Sequence, residues 1–253
     1  MLPIELKIIK YYMLDQFYYK YKVRQGRQKP YYKRTVSLMK ERNFYDLPVH
    51  QPLTSYTFTV FDLETTGFLP EVGDAVVSFG AVKWTGLNWQ EQEHFYELVK
   101  PVIKVPKNIF QLTGIKKSDI KHGIPFVQAF GKFLEFSKGT ILVAHPASFD
   151  VNFLKATASR WELPDFHPLY IDSYTLARFL HPDADNRLDH LIDCYGVKQH
   201  ERHHALNDAI MTGEVFLQMI EKLNEKDILT LSHLQKALQE IKPPAMPYKS
   251  FDA

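Results

Sequence analysis

The sequence is poor in cysteine and in long apolar runs. Its 253 residues include one cysteine, Cys194, so an internal disulfide is excluded and a reducing compartment is favoured. The lone cysteine and the scattered histidines also do not match the ligand spacings of zinc sites. No run of roughly 18 apolar residues occurs, and the charged N-terminus lacks the apolar stretch of a signal peptide. We therefore expect a cytoplasmic protein without a membrane partner.

Charge is unevenly distributed along the chain, although the net charge is only +2. Residues 1–55 carry seven Lys and four Arg against four acids, together with eight of the 14 tyrosines. A basic, Tyr-rich segment can bind a polyanion such as nucleic acid. It can equally form an amphipathic helix that packs on the main domain through its Tyr, Leu and Ile residues. The two interpretations are compatible.

The positions of glycine and proline, which interrupt regular secondary structure, indicate that the chain has three parts. Residues 2–24 are predicted to form a helix with Leu6, Ile9 and Met13 on one side, and "RQGRQKPYYKR" is predicted to be a linker. The Pro-rich "DLPVHQPLTS" is predicted to mark a domain boundary. We expect a basic N-terminal extension (1–55), a main domain (56–223) and a C-terminal helix with a tail (224–253).

The main domain begins with strands and then alternates between strands and helices. Strands are predicted at 57–63, 74–85, 92–99, 140–145 and 169–172, and the first three form an antiparallel meander. Helices are predicted at 125–137, 148–161, 173–180, 187–195, 204–223 and 226–240. This order predicts an α/β fold with a mixed sheet flanked by helices.

Two acids end the first strand in "TFTVFDLETTG". Because strand side chains alternate between faces, Phe58, Val60, Asp62 and Glu64 share one face. Two partly buried carboxylates on one face repel each other unless a cation neutralises them, and Mg²⁺ prefers such oxygen ligands. An exposed strand end with both acids in water is the alternative.

Further acids follow later in the chain. Asp150 lies in the first turn of the helix that follows "TILVAH", four residues before Leu154 and therefore on the same side. Ser148 is predicted to be the N-cap of that helix. His203 and Asp208 are five residues apart, so they can converge only if His203 precedes the helix that carries Asp208. A histidine there could take a proton near pH 7.

In this order and at these separations, "FDLETTG", "HPASFD" and "HHALNDA" resemble the DEDDh exonucleases, the family of the proofreading subunit of bacterial replicative polymerase. The resemblance covers residues 56–223, and it implies a ribonuclease H-like fold with a mixed five-stranded sheet. It implies a 3′–5′ exonuclease that releases nucleoside monophosphates from single-stranded DNA ends. Alternatives are an RNA-trimming enzyme of the same family or a non-catalytic nucleic-acid-binding accessory of a DNA polymerase.

The resemblance also implies a site. It implies two divalent cations, Mg²⁺ or Mn²⁺, held by Asp62, Glu64, Asp150 and Asp208, with His203 as general base. The residues implied to contact the terminal nucleotide are Thr65, Thr66, Phe68, Leu112, Thr113 and Phe149.

One position departs from the family pattern. Pro146 stands where the family usually has Asn, and it lacks a backbone donor. We expect altered substrate handling without loss of metal binding. Asp172, at the end of "LYID", is predicted to cap a helix or support the structure.

Overall fold

Five strands form one mixed sheet in the computed structural model of the chain, which describes residues 4–41, 47–239 and 241. The strands are β1 (Thr57–Thr65), β2 (Val76–Thr85), β3 (Glu93–Leu98), β4 (Ile141–Ala144) and β5 (Tyr170–Asp172). Their order is β3-β2-β1-β4-β5. The β1–β2 and β2–β3 pairs are antiparallel, whereas β1–β4 and β4–β5 are parallel. The predicted meander and mixed sheet are confirmed.

Eleven helices are found in the described part of the chain. They are α1 (Ile4–Lys10), α2 (Gln16–Gly26), α3 (Pro30–Lys40), α4 (Lys107–Thr113), α5 (Lys117–His122), α6 (Phe126–Phe136), α7 (Ala147–Arg160), α8 (Ser173–Leu180), α9 (Leu188–Tyr195), α10 (Ala205–Asn224) and α11 (Leu231–Gln239). A π-helical turn, Tyr11–Asp15, joins α1 to α2. None of these helices has the length and apolarity needed to cross a bilayer.

Strand β1 is buried on both faces, because helices cover both sides of the sheet. Phe58 and Val60 pack in one core with side chains of α8 to α11. Phe61 and Leu63 pack in a second core with α6, α7 and the N-terminal helices. The predicted alternation along β1 is thus observed, and it directs the face of Asp62 and Glu64 toward the side of α10.

The N-terminal helices contribute buried side chains to the core. Tyr19, Val23 and Tyr32 are buried in the core shared with α6 and α7. The Tyr32 hydroxyl donates to the carbonyl oxygens of Trp161 and Glu162, each at 2.9 Å. The packing role that the sequence allowed for this segment is therefore present.

Two expectations about this segment are wrong. The expected linker is largely helical, because Gly26 ends α2 and Pro30 takes the first position of α3, where a missing N–H group has no cost. Leu6 and Ile9 do not pack on the main domain as expected, since each is more than half exposed, and Met13 of the same predicted helix is exposed as well. The tyrosines named in the same expectation do supply buried side chains.

Other differences are confined to boundaries. The last helix begins at Leu231 instead of residue 226. Some predicted parts lie outside the described residues. These are residues 2 and 3 of the first helix, Asp46 of the domain boundary, residue 240 of the last helix and the tail from residue 242. The three-part domain division stays a prediction.

A close approach of α3 to α6 suggests a test of this packing. A Cβ atom on Gly131 would lie 2.3 Å from the Thr35 hydroxyl oxygen, which donates to the Val127 carbonyl at 2.9 Å. We expect Gly131→Leu to force the helices apart and to lower the free energy of unfolding by about 1–3 kcal/mol. Urea unfolding measures this change. The control is Lys132→Leu on the exposed side of α6, where the loss should stay within about 1 kcal/mol. Equal urea midpoints for Gly131→Leu and Lys132→Leu would contradict the close packing of α3 against α6.

Candidate active site

The two acids of β1 lie at the centre of the sheet. Asp62 pairs with Gly80 of β2, and Glu64 pairs with Ser78. Each acid is only 8% exposed. Two carboxylates this deeply buried on one strand face need compensating positive charge, because removal from water penalises the ionised form.

Gly80 explains how a third acid reaches this face. A Cβ atom at Gly80 would lie 2.1 Å from the carbonyl carbon of Ala205 and from the backbone nitrogen of Leu206. Only glycine therefore allows the first turn of α10 to touch β2 directly beside Asp62. Asp208 lies in that first turn and is 4% exposed.

The result is a compact group of three carboxylates. Asp62, Glu64 and Asp208 present oxygen atoms that all lie within 4.8 Å of one another. Oxygen-only donors at this spacing fit a hard divalent cation. The donor set and its burial thus match the metal that the sequence predicted.

Asp150 is placed near the same end of the sheet but outside that group of three. It lies in the first turn of α7, directly after β4, and is 3% exposed. Leu154 is buried one turn later, as the four-residue spacing predicted. The role of Asp150 as a metal ligand stays a prediction.

The first turn of α7 is held by Asp172. The Asp172 carboxylate accepts from the backbone N–H of Ser148 at 2.9 Å and caps α8 through the N–H groups of Tyr174 and Thr175. The predicted capping role of Asp172 is confirmed. The predicted N-cap at Ser148 is wrong, because α7 already begins at Ala147 and Pro146 occupies the cap position.

His203 lies on the loop before α10, as the spacing to Asp208 required. Its backbone N–H donates to Asp208 Oδ2 at 3.2 Å, and its φ of +62° is left-handed. His204 follows as the N-cap of α10 and stacks on Tyr96 of β3, with ring centroids 4.7 Å apart. These contacts hold the loop next to Asp208. They therefore also place the Cα atom of His203 next to Asp208.

Arg202 is a charged neighbour that the sequence did not reveal. Its guanidinium forms an ion pair with Asp208, and its Nε donates to Asp189 at 2.5 Å. Burial disfavours the charge of Arg202, but the two carboxylates outweigh this effect and raise the pKa of the guanidinium. Arg202 therefore stays cationic and offsets part of the negative charge. No spacing signal marks it, because Arg202 is on the loop before α10 whereas Asp189 is on α9.

The residues predicted to contact a nucleotide fall into two groups. Phe68 and Phe149 come together, with ring centroids 5.9 Å apart. Thr65 ends β1, next to Glu64, and its hydroxyl donates to the Gly67 carbonyl at 2.8 Å. Thr66 follows it, and its hydroxyl donates to Asp74.

The second group lies on α4, which Leu112 and Thr113 end. The Thr113 hydroxyl donates to the Ile109 carbonyl within the helix at 2.8 Å. Ile109 packs in a small cluster with Val77 of β2. Contact of Leu112 and Thr113 with a nucleotide stays a prediction.

Comparison with known proteins identifies the family. The profile described as "Exonuclease" matches residues 59–216. "DNA polymerase III PolC-type" from Caldanaerobacter subterraneus subsp. tengcongensis is 39% identical over 184 residues, which are 72% of this chain and 13% of that protein. The same-named protein from Thermotoga maritima is 33% identical over 71% of this chain and 13% of its own length. The chain therefore spans only about an eighth of these relatives.

Solved structures show the same fold. "Exonuclease X in complex with 5' overhanging duplex DNA" has a TM-score of 0.55 and 19% identity, covering 72% of this chain and 99% of that one. The "nuclease domain of 3'hExo, a DEDDh family member, bound to rAMP" has a TM-score of 0.60 and 17% identity, covering 66% and 93%. The expected ribonuclease H-like exonuclease fold is confirmed.

The carboxylate group predicts a metal-dependent stability. We expect Mn²⁺ at about 100 times its Kd to stabilise the protein by about 2.7 kcal/mol, seen as a rise in Tm of several degrees. Asp62→Asn should abolish this rise and leave the metal-free Tm equal or higher, because it removes one of three crowded charges. Scanning calorimetry with and without EDTA measures both. Asp165→Asn, an exposed acid, is the control and should keep the rise. A large fall in metal-free Tm for Asp62→Asn would contradict the crowding.

Gly80 gives a second test of the site. Gly80→Ala should push the start of α10 away from β2 and weaken Mn²⁺ binding by about 10- to 100-fold, because Asp208 moves with the helix. Calorimetric titration measures the affinity. Val82→Ala lies on the same face of β2 under α10 and removes buried methyl groups without a clash, so it should lose stability but keep its Mn²⁺ affinity. Equal Mn²⁺ affinity for Gly80→Ala and the unaltered protein would refute the role of Gly80.

Proposed function

The chain belongs to the exonuclease family, and from this premise we propose that it removes nucleotides from the 3′ ends of single-stranded DNA. The observation that carries the proposal is the convergence of Asp62, Glu64 and Asp208 from two distant segments. Each of the three is buried, although bringing three carboxylates close together does not by itself stabilise the fold. A phosphodiester hydrolase that uses divalent ions accounts for the arrangement.

The metal ligands would be the four acids of the sequence prediction. Asp62, Glu64 and Asp208 would hold a divalent ion, Mg²⁺ or Mn²⁺, and Asp150 would contribute to a second ion from the first turn of α7. Such ions stabilise charge on the attacking and leaving oxygens of an in-line phosphoryl displacement.

His203 would be the general base. Its imidazole would take a proton from the water that attacks the terminal phosphorus, and the 3′ oxygen of the preceding nucleotide would leave. The products would be a nucleoside monophosphate and a strand that is one nucleotide shorter with a free 3′ hydroxyl. The hydrogen bond from the His203 backbone N–H to the Asp208 carboxylate supports this role, since it holds the loop beside the three acids.

The terminal nucleotide would lie against the segment after β1. Phe68 and Phe149 would provide an apolar wall for its base, and Thr65 and Thr66 would contact it beside the acids. Leu112 and Thr113 would add contacts from the end of α4. Pro146 offers no backbone donor before α7, so we expect substrate contacts there to differ from those of the family.

The choice of DNA is supported by the curated relatives, which are named DNA polymerase III. Association with a DNA polymerase, and a role in replication or repair, are the corresponding partner proposals. RNA trimming is the second candidate, since the 2′ hydroxyl distinguishes RNA from DNA and the proposed site assigns no residue to that group.

A degradation assay tests the function. With Mg²⁺ or Mn²⁺, we expect a 5′-labelled single-stranded DNA to be shortened one nucleotide at a time as mononucleotides are released from its 3′ end, and we expect no shortening with EDTA. Matched RNA and paired strands should be degraded more slowly. His203→Ala should lower kcat by about 10²- to 10⁴-fold, because a general base is lost. His200→Ala, three residues earlier in the same segment, is the control and should retain activity.

The assay also separates the alternatives. Faster release from RNA than from DNA would favour the trimming enzyme. Retained strand binding without release under any metal condition would instead indicate the non-catalytic accessory and overturn the proposal.

A further inference from the structure

The segment 66–74, which connects β1 to β2 and is called here the 66–74 loop, carries Thr66 and Phe68 next to the carboxylates. Its last residue, Asp74, is 2% exposed. Asp74 accepts a hydrogen bond from the Thr66 hydroxyl at 3.1 Å and from the Leu69 backbone N–H at 3.0 Å. The Asp74 carboxylate is therefore the group around which the loop is folded.

Asp74 receives its positive partner from the N-terminal extension. Lys7 Nζ lies 2.5 Å from Asp74 Oδ2, although 67 residues separate the two in sequence. A carboxylate this buried is costly without a cation nearby, so the contact with Lys7 stabilises the arrangement in which Asp74 holds the loop. Lys7 also lies outside residues 59–216, which the family profile matches.

Other side chains hold the end of the loop from the same side. Tyr11 packs against Gly73, where a Cβ atom would lie 2.7 Å from the tyrosine ring, and Gly73 has a φ of +99°. Arg160 of α7 donates to the Asp74 carbonyl at 3.0 Å and lies over the ring of Tyr19 at 4.9 Å from its centroid. The N-terminal helices and α7 thus hold the loop together.

We propose that Lys7 is a positioning residue that holds the 66–74 loop through Asp74 and thereby sets the affinity for the terminal nucleotide. The proposal rests on the proposed function, because the loop is the segment that would contact that nucleotide. Lys7 is not among the residues proposed to contact the nucleotide, and it acts on the loop through Asp74. Its loss loosens the loop but leaves Asp62, Glu64 and Asp208 in place, so binding weakens while the chemical step is kept.

The test compares two lysines of the same helix. Lys7→Gln removes the contact with Asp74. Lys10→Gln removes an equal charge from a lysine that pairs with Asp15 on the surface at 2.8 Å. With single-stranded DNA, Lys7→Gln should raise KM about fivefold to tenfold and leave kcat within about twofold. Lys10→Gln should change neither KM nor kcat. Lys7→Arg should keep KM near that of the unaltered protein, because it retains a cation beside Asp74.

A second measurement does not depend on activity. Hydrogen exchange without DNA should become faster at residues 66–75 in Lys7→Gln, including the Leu69 amide, and stay unchanged in Lys10→Gln and Lys7→Arg. Circular dichroism checks that each variant is folded.

The outcomes are distinct. Equal rises in KM for the Gln variants at positions 7 and 10 would assign the effect to the general charge of the extension and overturn the proposal. Unchanged exchange at residues 66–75 in Lys7→Gln would overturn it as well. A wild-type protein that releases no nucleotide would refute the proposed function, whereas the exchange measurement would still decide whether Lys7 holds the loop.

Discussion

Repulsion among buried carboxylates is the constraint on which the site depends. Asp62 and Glu64 are fixed by the alternation of β1, and Asp208 joins them because Gly80 lets α10 begin directly against β2. Arg202 offsets only part of the charge, since it is shared between Asp208 and Asp189. The fold therefore creates a negative centre whose donor set fits a divalent ion, and binding of such an ion would stabilise the fold.

The elements that carry this charge differ from those that would contact a nucleotide. The acids are located on a central strand and on the first turns of two long helices, and all of them are buried. Thr66 and Phe68 are located on a loop whose conformation depends on one buried carboxylate, Asp74. Rigid elements give precise placement of ligands, whereas a loop held from outside can be adjusted without disturbing them.

Much of the site could be predicted because its signals are local. The period of two in β1 places Asp62 beside Glu64, and the five-residue step from His203 to Asp208 requires a loop before α10. The contacts of Arg202 with Asp189 and of Lys7 with Asp74 could not be predicted, because no periodic spacing links residues on different elements. The packing of the N-terminal helices was predicted only in part. Tyr19 and Tyr32 are buried as the expectation allowed, whereas Leu6 and Ile9 are exposed, and a π-helical turn interrupts the regular helical period between α1 and α2.

Deletion of the N-terminal extension cannot isolate its role, since the same residues serve the core and the site. Tyr19, Val23 and Tyr32 are part of the core that is shared with α6 and α7. A truncated protein would therefore lose buried apolar area together with the basic side chains of the extension. A fall in DNA affinity after truncation would then be compatible with lost charge, lost packing or a released loop. Single substitutions at the helix surface separate these causes, because Lys7 contacts Asp74 whereas Lys10, on the same helix, pairs with Asp15. The physical role of the extension is thus defined at individual side chains and not by the segment as a whole.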